Sequence, residues 1–113
     1  MEQNFQTLGL SDVLVAGLAK QDITVPTDIQ TKMIPAIMTG KDVVGRSETG
    51  SGKTLAYLLP IFQRIDPNVR GTQAIILTPT HELAAQVHRQ AELLAKNAGV
   101  NVVLGKEATV DDI

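Results

Sequence analysis

A parallel α/β fold is predicted by two features of this 113-residue chain. Short β-branched or wholly apolar runs of strand length alternate with amphipathic runs of helix length, and a Gly-rich segment joins the first such run directly to the next helix. Strands that alternate with helices pair in parallel through right-handed crossovers, with helices covering the sheet. The length fits one domain or part of one, and 43% apolar with 19% charged residues is the composition of an ordinary globular protein.

Each element follows from its residues. From Ser11 to Gln21, Val13, Leu14, Val15, Leu18 and Ala19 fall near helical spacing, and Ser11 or Asp12 can cap the first turn. A second helix is expected from Thr27, its N-cap, through Ile29, Met33, Ile34, Ile37 and Met38 to a stop at Gly40, with Pro35 bending or opening it. Met33 and Met38 read as core filling. Asp42 to Arg46 reads as a strand, Ser47 to Gly52 as a loop, and Lys53 to Arg64 as a helix carrying Leu55, Ala56, Leu58, Leu59 and Phe62 on its apolar face. Asp66-Pro67-Asn68 turns the chain. Gln73 to Thr78 has the apolar run of a strand buried on both faces, ended by Pro79. Glu82 to Asn97 is the longest helix pattern, stopped by Gly99, and Val100 to Leu104 is a last strand pattern.

Composition also narrows function. There are no cysteines, which excludes disulfides, Cys-based zinc sites and thiolate catalysis. Ten basic and twelve acidic residues give a net charge of −2, so any nucleic-acid contact must be local. No run reaches the roughly 18 to 20 apolar residues of a membrane span, and no signal peptide is apparent, so a cytoplasmic setting without a membrane partner is expected. Aromatics are confined to Phe5, Tyr57 and Phe62, which leaves an aliphatic core and little base-stacking surface.

The segment Ser47-Glu48-Thr49-Gly50-Ser51-Gly52-Lys53-Thr54 carries the most chemistry. Between a buried strand and a helix start, a glycine-rich turn lets several backbone amides converge on one anion. Gly50 and Gly52 permit positive φ and close approach, and the helix adds its positive end. Lys53 supplies a full charge to β- and γ-phosphates, and the Thr54 hydroxyl is placed to ligate Mg²⁺. Ser47 occupies the first position, where the strict phosphate-loop pattern has Gly. Glu48 would be repelled by phosphate and reads as solvent-facing. His81 and His88, seven residues apart, read as surface or capping residues rather than metal ligands. Asp111-Asp112 reads as a solvated end.

Three segments occur in one order: Val25-Pro26-Thr27-Asp28-Ile29-Gln30, then Ser47 to Thr54, then Pro79-Thr80-His81-Glu82-Leu83-Ala84-Ala85-Gln86. Together they resemble the Q motif, motif I and motif Ia of DEAD-box ATP-dependent RNA helicases, with Phe5 matching that family's upstream aromatic. The resemblance implies the N-terminal part of a RecA-like P-loop NTPase domain over residues 1–113, the Q-motif helical region being 1–40 and the P-loop α/β region 41–113. It implies ATP or ADP and Mg²⁺ as ligands, held by Phe5, Thr27, Gln30, Ser47, Thr49, Gly50, Ser51, Gly52, Lys53 and Thr54. Lys53 and Thr54 would serve catalysis, and Thr54 would bind the metal. By the same resemblance Gln30 would read the adenine edge, a task that suits a carboxamide's adjacent donor and acceptor. Pro79 and Thr80 would meet an RNA backbone phosphate.

The chain departs from the family pattern in places. His81 stands where the family usually has Arg and so lacks a bidentate fork. Ile23 stands where an aromatic usually precedes Pro-Thr, and Gly105-Lys106 where paired glycines are usual. The Asp-Glu-Ala-Asp motif and the second RecA-like domain with its arginine finger do not occur in this sequence. Later strands of the family insert between those present, so the sheet is expected to be incomplete, with exposed edges. The leading reading is therefore a segment that binds nucleotide but does not unwind RNA alone. In a complete protein, RNA and the second RecA-like domain would be its partners. One alternative is a non-catalytic or regulatory fragment that binds nucleotide or a partner protein. Another, an unrelated P-loop kinase or GTPase, leaves Gln30 and the Pro79 to Gln86 segment unexplained.

Overall fold

The computed structural model describes residues 4–46 and 52–105. Four helices follow in order: α1 (Asp12–Ala19), α2 (Asp28–Met38), α3 (Lys53–Arg64) and α4 (His81–Ala98). Each lies where the periodicity put it. Ser11, Thr27 and Thr80 accept bonds from first-turn amides of α1, α2 and α4, satisfying donors that a helix start otherwise leaves unpaired. Gly99 ends α4 in the left-handed region at φ 68°, the conformation a C-terminal glycine supplies at no steric cost. Pro35 falls inside α2 without ending it. Its missing N–H removes one intrahelical bond, and the chain runs on to a stop at Gly40, where φ is +87°.

The four helices bury one apolar cluster. Leu14 and Leu18 of α1, Ile34 of α2, Leu55, Leu58, Leu59 and Phe62 of α3, and Val87, Ala91, Leu94 and Ala95 of α4 meet within it. The N-terminal turn before α1 adds Phe5, Leu8 and Leu10, held by Leu8 N–H to the Asn4 carbonyl and Leu10 N–H to the Phe5 carbonyl, both at 3.3 Å. Pairing is specific: α2 lies on α3, α1 on α4, and α3 touches both α1 and α4. Polar bonds fix the seams between them. The Gln63 side chain accepts the Ser11 N–H at 2.7 Å, and Lys20 Nζ donates to Asn97 Oδ1 at 3.2 Å.

The strand segments differ from expectation. Among the described residues, 42–46, 73–78 and 100–104 form no sheet ladder. Val44 is 93%, Ile75 73% and Leu77 90% exposed. The physical cause is the pairing rule for parallel strands. Each needs a neighbour 4.7 to 4.9 Å away to take its slanted N–H and C=O bonds, and these three segments do not supply one another's neighbours. The incompleteness expected of the sheet thus extends to its whole ladder in these residues. The turn before the second segment is well made: Gln73 Oε1 accepts the Asp66 N–H at 3.0 Å, Gln73 Nε2 donates to the Asp66 carbonyl at 2.8 Å, and Asn68 N–H bonds Asp66 Oδ1 at 2.9 Å.

A core built largely by helices has a direct consequence for stability. Leu59→Ala, at a position fully buried, is expected to cost about 2–5 kcal/mol. Leu77→Ala is expected to stay within about 0.5 kcal/mol, as surface substitutions do. Urea unfolding of the two variants beside the parent chain checks the contrast; equal losses would mean that the 73–78 segment is packed.

Candidate functional site

Thr27 and Gln30 form a reciprocal cap on α2. Thr27 Oγ1 accepts the Gln30 N–H at 3.4 Å, while Gln30 Oε1 accepts the Thr27 N–H at 3.0 Å. Gln30 does more than cap. Its Nε2 donates to the carbonyl of Gly52 at 3.1 Å, across 22 residues of sequence, and Gln30 is only 2% exposed. The start of α2 is thereby tied to the residue that starts α3. The fit is close: a Cβ on Gly52 would lie 2.6 Å from Gln30 Nε2 and 3.0 Å from Thr27 Oγ1, and Gly52 has φ +88°. Only glycine meets both demands.

Gly52 is the N-cap of α3, and it offers no side-chain cap. The first-turn amides of α3 therefore carry the helix's positive end without the hydroxyl acceptor that the other three described helices have. No acidic residue stands in that turn, and Lys53, its first residue, is exposed. Thr54 follows, half-buried. One turn along, Tyr57 packs against the core. Burial pushes the phenol pKa up, and the neighbouring Thr54 side chain partly offsets this. Backbone donors, a cation and a hydroxyl thus stand in sequence at one helix start, residue types suited to a phosphate with its metal ion.

The other residues singled out in the sequence are placed as follows. Ser47, Thr49, Gly50 and Ser51 lie outside the described residues, as do Glu48, Lys106 and Asp111-Asp112. Phe5 is 2% exposed and packs inside the apolar cluster. Ile23 is likewise packed against that cluster. Pro79 and Thr80 are exposed at the start of α4, where the Thr80 hydroxyl accepts the Leu83 N–H at 3.1 Å. Helix α4 begins at His81, one residue before the expected Glu82. His81 is exposed, whereas His88 is half-buried, its Nε2 lying 3.3 Å from the Val102 carbonyl and 3.5 Å from Glu92 Oε1. The structure thus brings together Thr27, Gln30, Gly52, Lys53 and Thr54, and leaves Phe5, Pro79 and Thr80 apart from that group in their bonding.

One feature of the site lies beyond sequence reasoning. The Gln30–Gly52 bond is long-range and has no sequence signature, although Thr-x-x-Gln ahead of an apolar run is the pattern of the capping box.

Residues 27–113 match the family profile described as DEAD/DEAH box helicase. This chain belongs to the DEAD/DEAH box helicase family. It is 47% identical over 105 residues to the ATP-dependent RNA helicase DBP9 of Ajellomyces capsulatus, an alignment covering 88% of this chain and 17% of that one. Among solved structures it resembles a DEAD box protein from Methanococcus jannaschii, with TM-score 0.79 and 37% identity over 93% of this chain and 30% of the other. It also resembles Saccharomyces cerevisiae Dbp5 bound to RNA and ADP BeF3, with TM-score 0.84 and 26% identity over 96% of this chain and 30% of that one. The chain spans 12% to 22% of the length of the curated relatives it matches. The fold is the RecA-like α/β fold of these helicases, incomplete in this chain. An unrelated kinase or GTPase is set aside by the family match.

The packing around Gly52 makes a discriminating expectation. Gly71 also has positive φ, at +96°, but a Cβ there meets nothing within 4 Å. Gly71→Ala should cost about 1 kcal/mol of backbone strain, and Gly52→Ala about 1–3 kcal/mol because Gln30 and Thr27 must also give way. Thermal unfolding of the two variants measures the difference, and equal losses would remove the Gln30–Gly52 contact from the description.

Proposed function

We propose that this chain is the ATP-binding N-terminal segment of a DEAD-box RNA helicase, and that RNA unwinding or remodelling belongs to the complete protein. The observation that carries this reading is the bond from Gln30 Nε2 to the Gly52 carbonyl. It would couple an adenine-reading side chain to a phosphate-holding helix start. After its internal bonds Gln30 retains one acceptor lone pair on Oε1 and one hydrogen on Nε2. Those two valences complement the adenine N6 amino group and N7 and mismatch guanine's paired acceptors O6 and N7. The amides at the start of α3 and the Lys53 ammonium would hold the β- and γ-phosphates.

Mg²⁺ fits the donors present. It takes few protein ligands, keeps several waters and prefers oxygen, so the half-exposed Thr54 hydroxyl beside bound phosphates is an adequate protein contribution. Bound there, the ion would offset charge on the transferred phosphoryl group. Hydrolysis also needs a group to orient the attacking water and a cation to stabilise the transition state. The acidic motif and arginine finger that the family uses are absent from this sequence. Little hydrolysis and no unwinding are therefore expected of this chain by itself. RNA contact through Pro79 and Thr80 would add one backbone phosphate at most, in keeping with a net charge of −2.

A second reading, a regulatory fragment that binds a partner protein, is favoured by the exposed Ile75 and Leu77. Thermal unfolding of the purified chain with excess ADP or GDP and Mg²⁺ separates the two. ADP at 100 times its dissociation constant should add about 2.7 kcal/mol, several degrees for a domain of this size. GDP should add little, and Lys53→Ala should abolish the shift. Equal shifts with ADP and GDP, or a shift that survives Lys53→Ala, would refute the proposed site.

A further inference from the structure

Met33 and Gly45 meet closely outside the group formed by Thr27, Gln30, Gly52, Lys53 and Thr54. A Cβ on Gly45 would overlap Met33 Sδ and lie 2.9 Å from Met33 Cε and 3.5 Å from its Cγ. Gly45 is not among the residues with positive φ, so space rather than backbone conformation calls for glycine there. Both residues are half-buried. Methionine suits such a seat, being unbranched and ending in a polarisable thioether that fills irregular gaps. Met33 lies three residues beyond Gln30 on α2, the spacing that puts two side chains on one face of a helix. One face of α2 thus meets Gly52 through Gln30 and Gly45 through Met33.

We infer that Met33 is a positioning residue for the phosphate site: seated on Gly45, it fixes the chain on the N-terminal side of residues 46–51, as Gln30 fixes it on the C-terminal side. This rests on the nucleotide reading given above. Gathering donors around an anion costs chain freedom, and the cost falls when the flanking residues are seated beforehand. Gly45 and Gly52 are those flanking residues, and at each of them a side chain of α2 stands too close for a Cβ. Met38, further along the same helix, gives the contrast, because it packs against the apolar cluster and serves the core. The thioether is the movable partner of its pair. A methyl group at position 45 would therefore unseat Met33 at little cost to the fold and remove the contact that holds Gly45.

The test is ADP binding with Mg²⁺ by titration calorimetry, beside thermal unfolding without ligand, for the purified chain, Met33→Ala, Gly45→Ala, the double variant and Met38→Ala. Met33→Ala and Gly45→Ala should each bind ADP about two- to thirtyfold more weakly, the range of couplings carried through packed side chains. The double variant should bind more tightly than either single one, because the new methyl group takes up space that the thioether vacates. Met38→Ala should unfold at a lower temperature and keep the parent's affinity. Met33→Ala with the parent's affinity would overturn the role of Met33 and leave the nucleotide site standing. Losses that simply add in the double variant would overturn it too, and so would Met38→Ala weakening ADP binding as much as Met33→Ala, the mark of a general loosening of α2. A parent chain that binds no ADP would overturn the nucleotide reading and this inference together.

Discussion

The bond between Gln30 and Gly52 constrains everything around it. A carboxamide that is 2% exposed has to find partners, because a buried and unpaired polar group costs about 1–3 kcal/mol. Gln30 finds them in the Thr27 amide and the Gly52 carbonyl, and no described buried side-chain polar atom is left without one. From this one residue follow the register of α2 on α3, the need for glycine at 52, and the place where the positive end of α3 opens. Neither helix could shift by a turn without breaking the cap and the long-range bond together. Rigidity at this point is what a phosphate cradle requires, since donors aimed in advance lose nothing in reorganising around their ligand.

The helical core can exist without the sheet because of where its apolar residues fall. Leu58 and Leu59 on α3, Leu18 on α1, Ile34 on α2 and Leu94 on α4 are all fully buried and belong to one apolar cluster. A sheet is different in kind. A helix satisfies its own backbone, whereas every strand depends on a neighbour, so a chain lacking intervening strands keeps its helices and loses its ladder. Ile75 and Leu77 then stand in water although their residue types call for burial. The fold class is legible in the structural relatives, and its absent half is legible in these exposed side chains.

Local signals account for what sequence reading achieved. Thr27, Thr80 and Gly99 marked helix ends through short-range bonds that depend on residue type and spacing alone, and α3 began and ended at Lys53 and Arg64 as its periodicity indicated. Phe5 shows a tertiary effect: an aliphatic core with few aromatics draws such a ring inward, and Phe5 packs there. Apolar runs such as Gln73 to Thr78 announce burial without saying against what, so their pairing could not be read from spacing. The Gln30 to Gly52 bond links residues 22 apart, and no periodicity reaches that far. Long-range geometry was legible only where a family pattern carried it.

The uncapped start of α3 joins stability to the proposed function. Three described helices take a Ser or Thr hydroxyl onto a first-turn amide, and such a cap contributes about 1 kcal/mol. At α3 the cap position is glycine, fixed by its contact with Thr27 and Gln30, so among the described residues no side chain at the cap position supplies the same bond. A bound anion can supply it. Under the proposed reading the nucleotide's phosphates do what Ser11 or Thr80 does elsewhere, with the Lys53 charge added. The ligand then completes a helix as well as occupying a site, and nucleotide binding becomes part of the folding equilibrium of this segment.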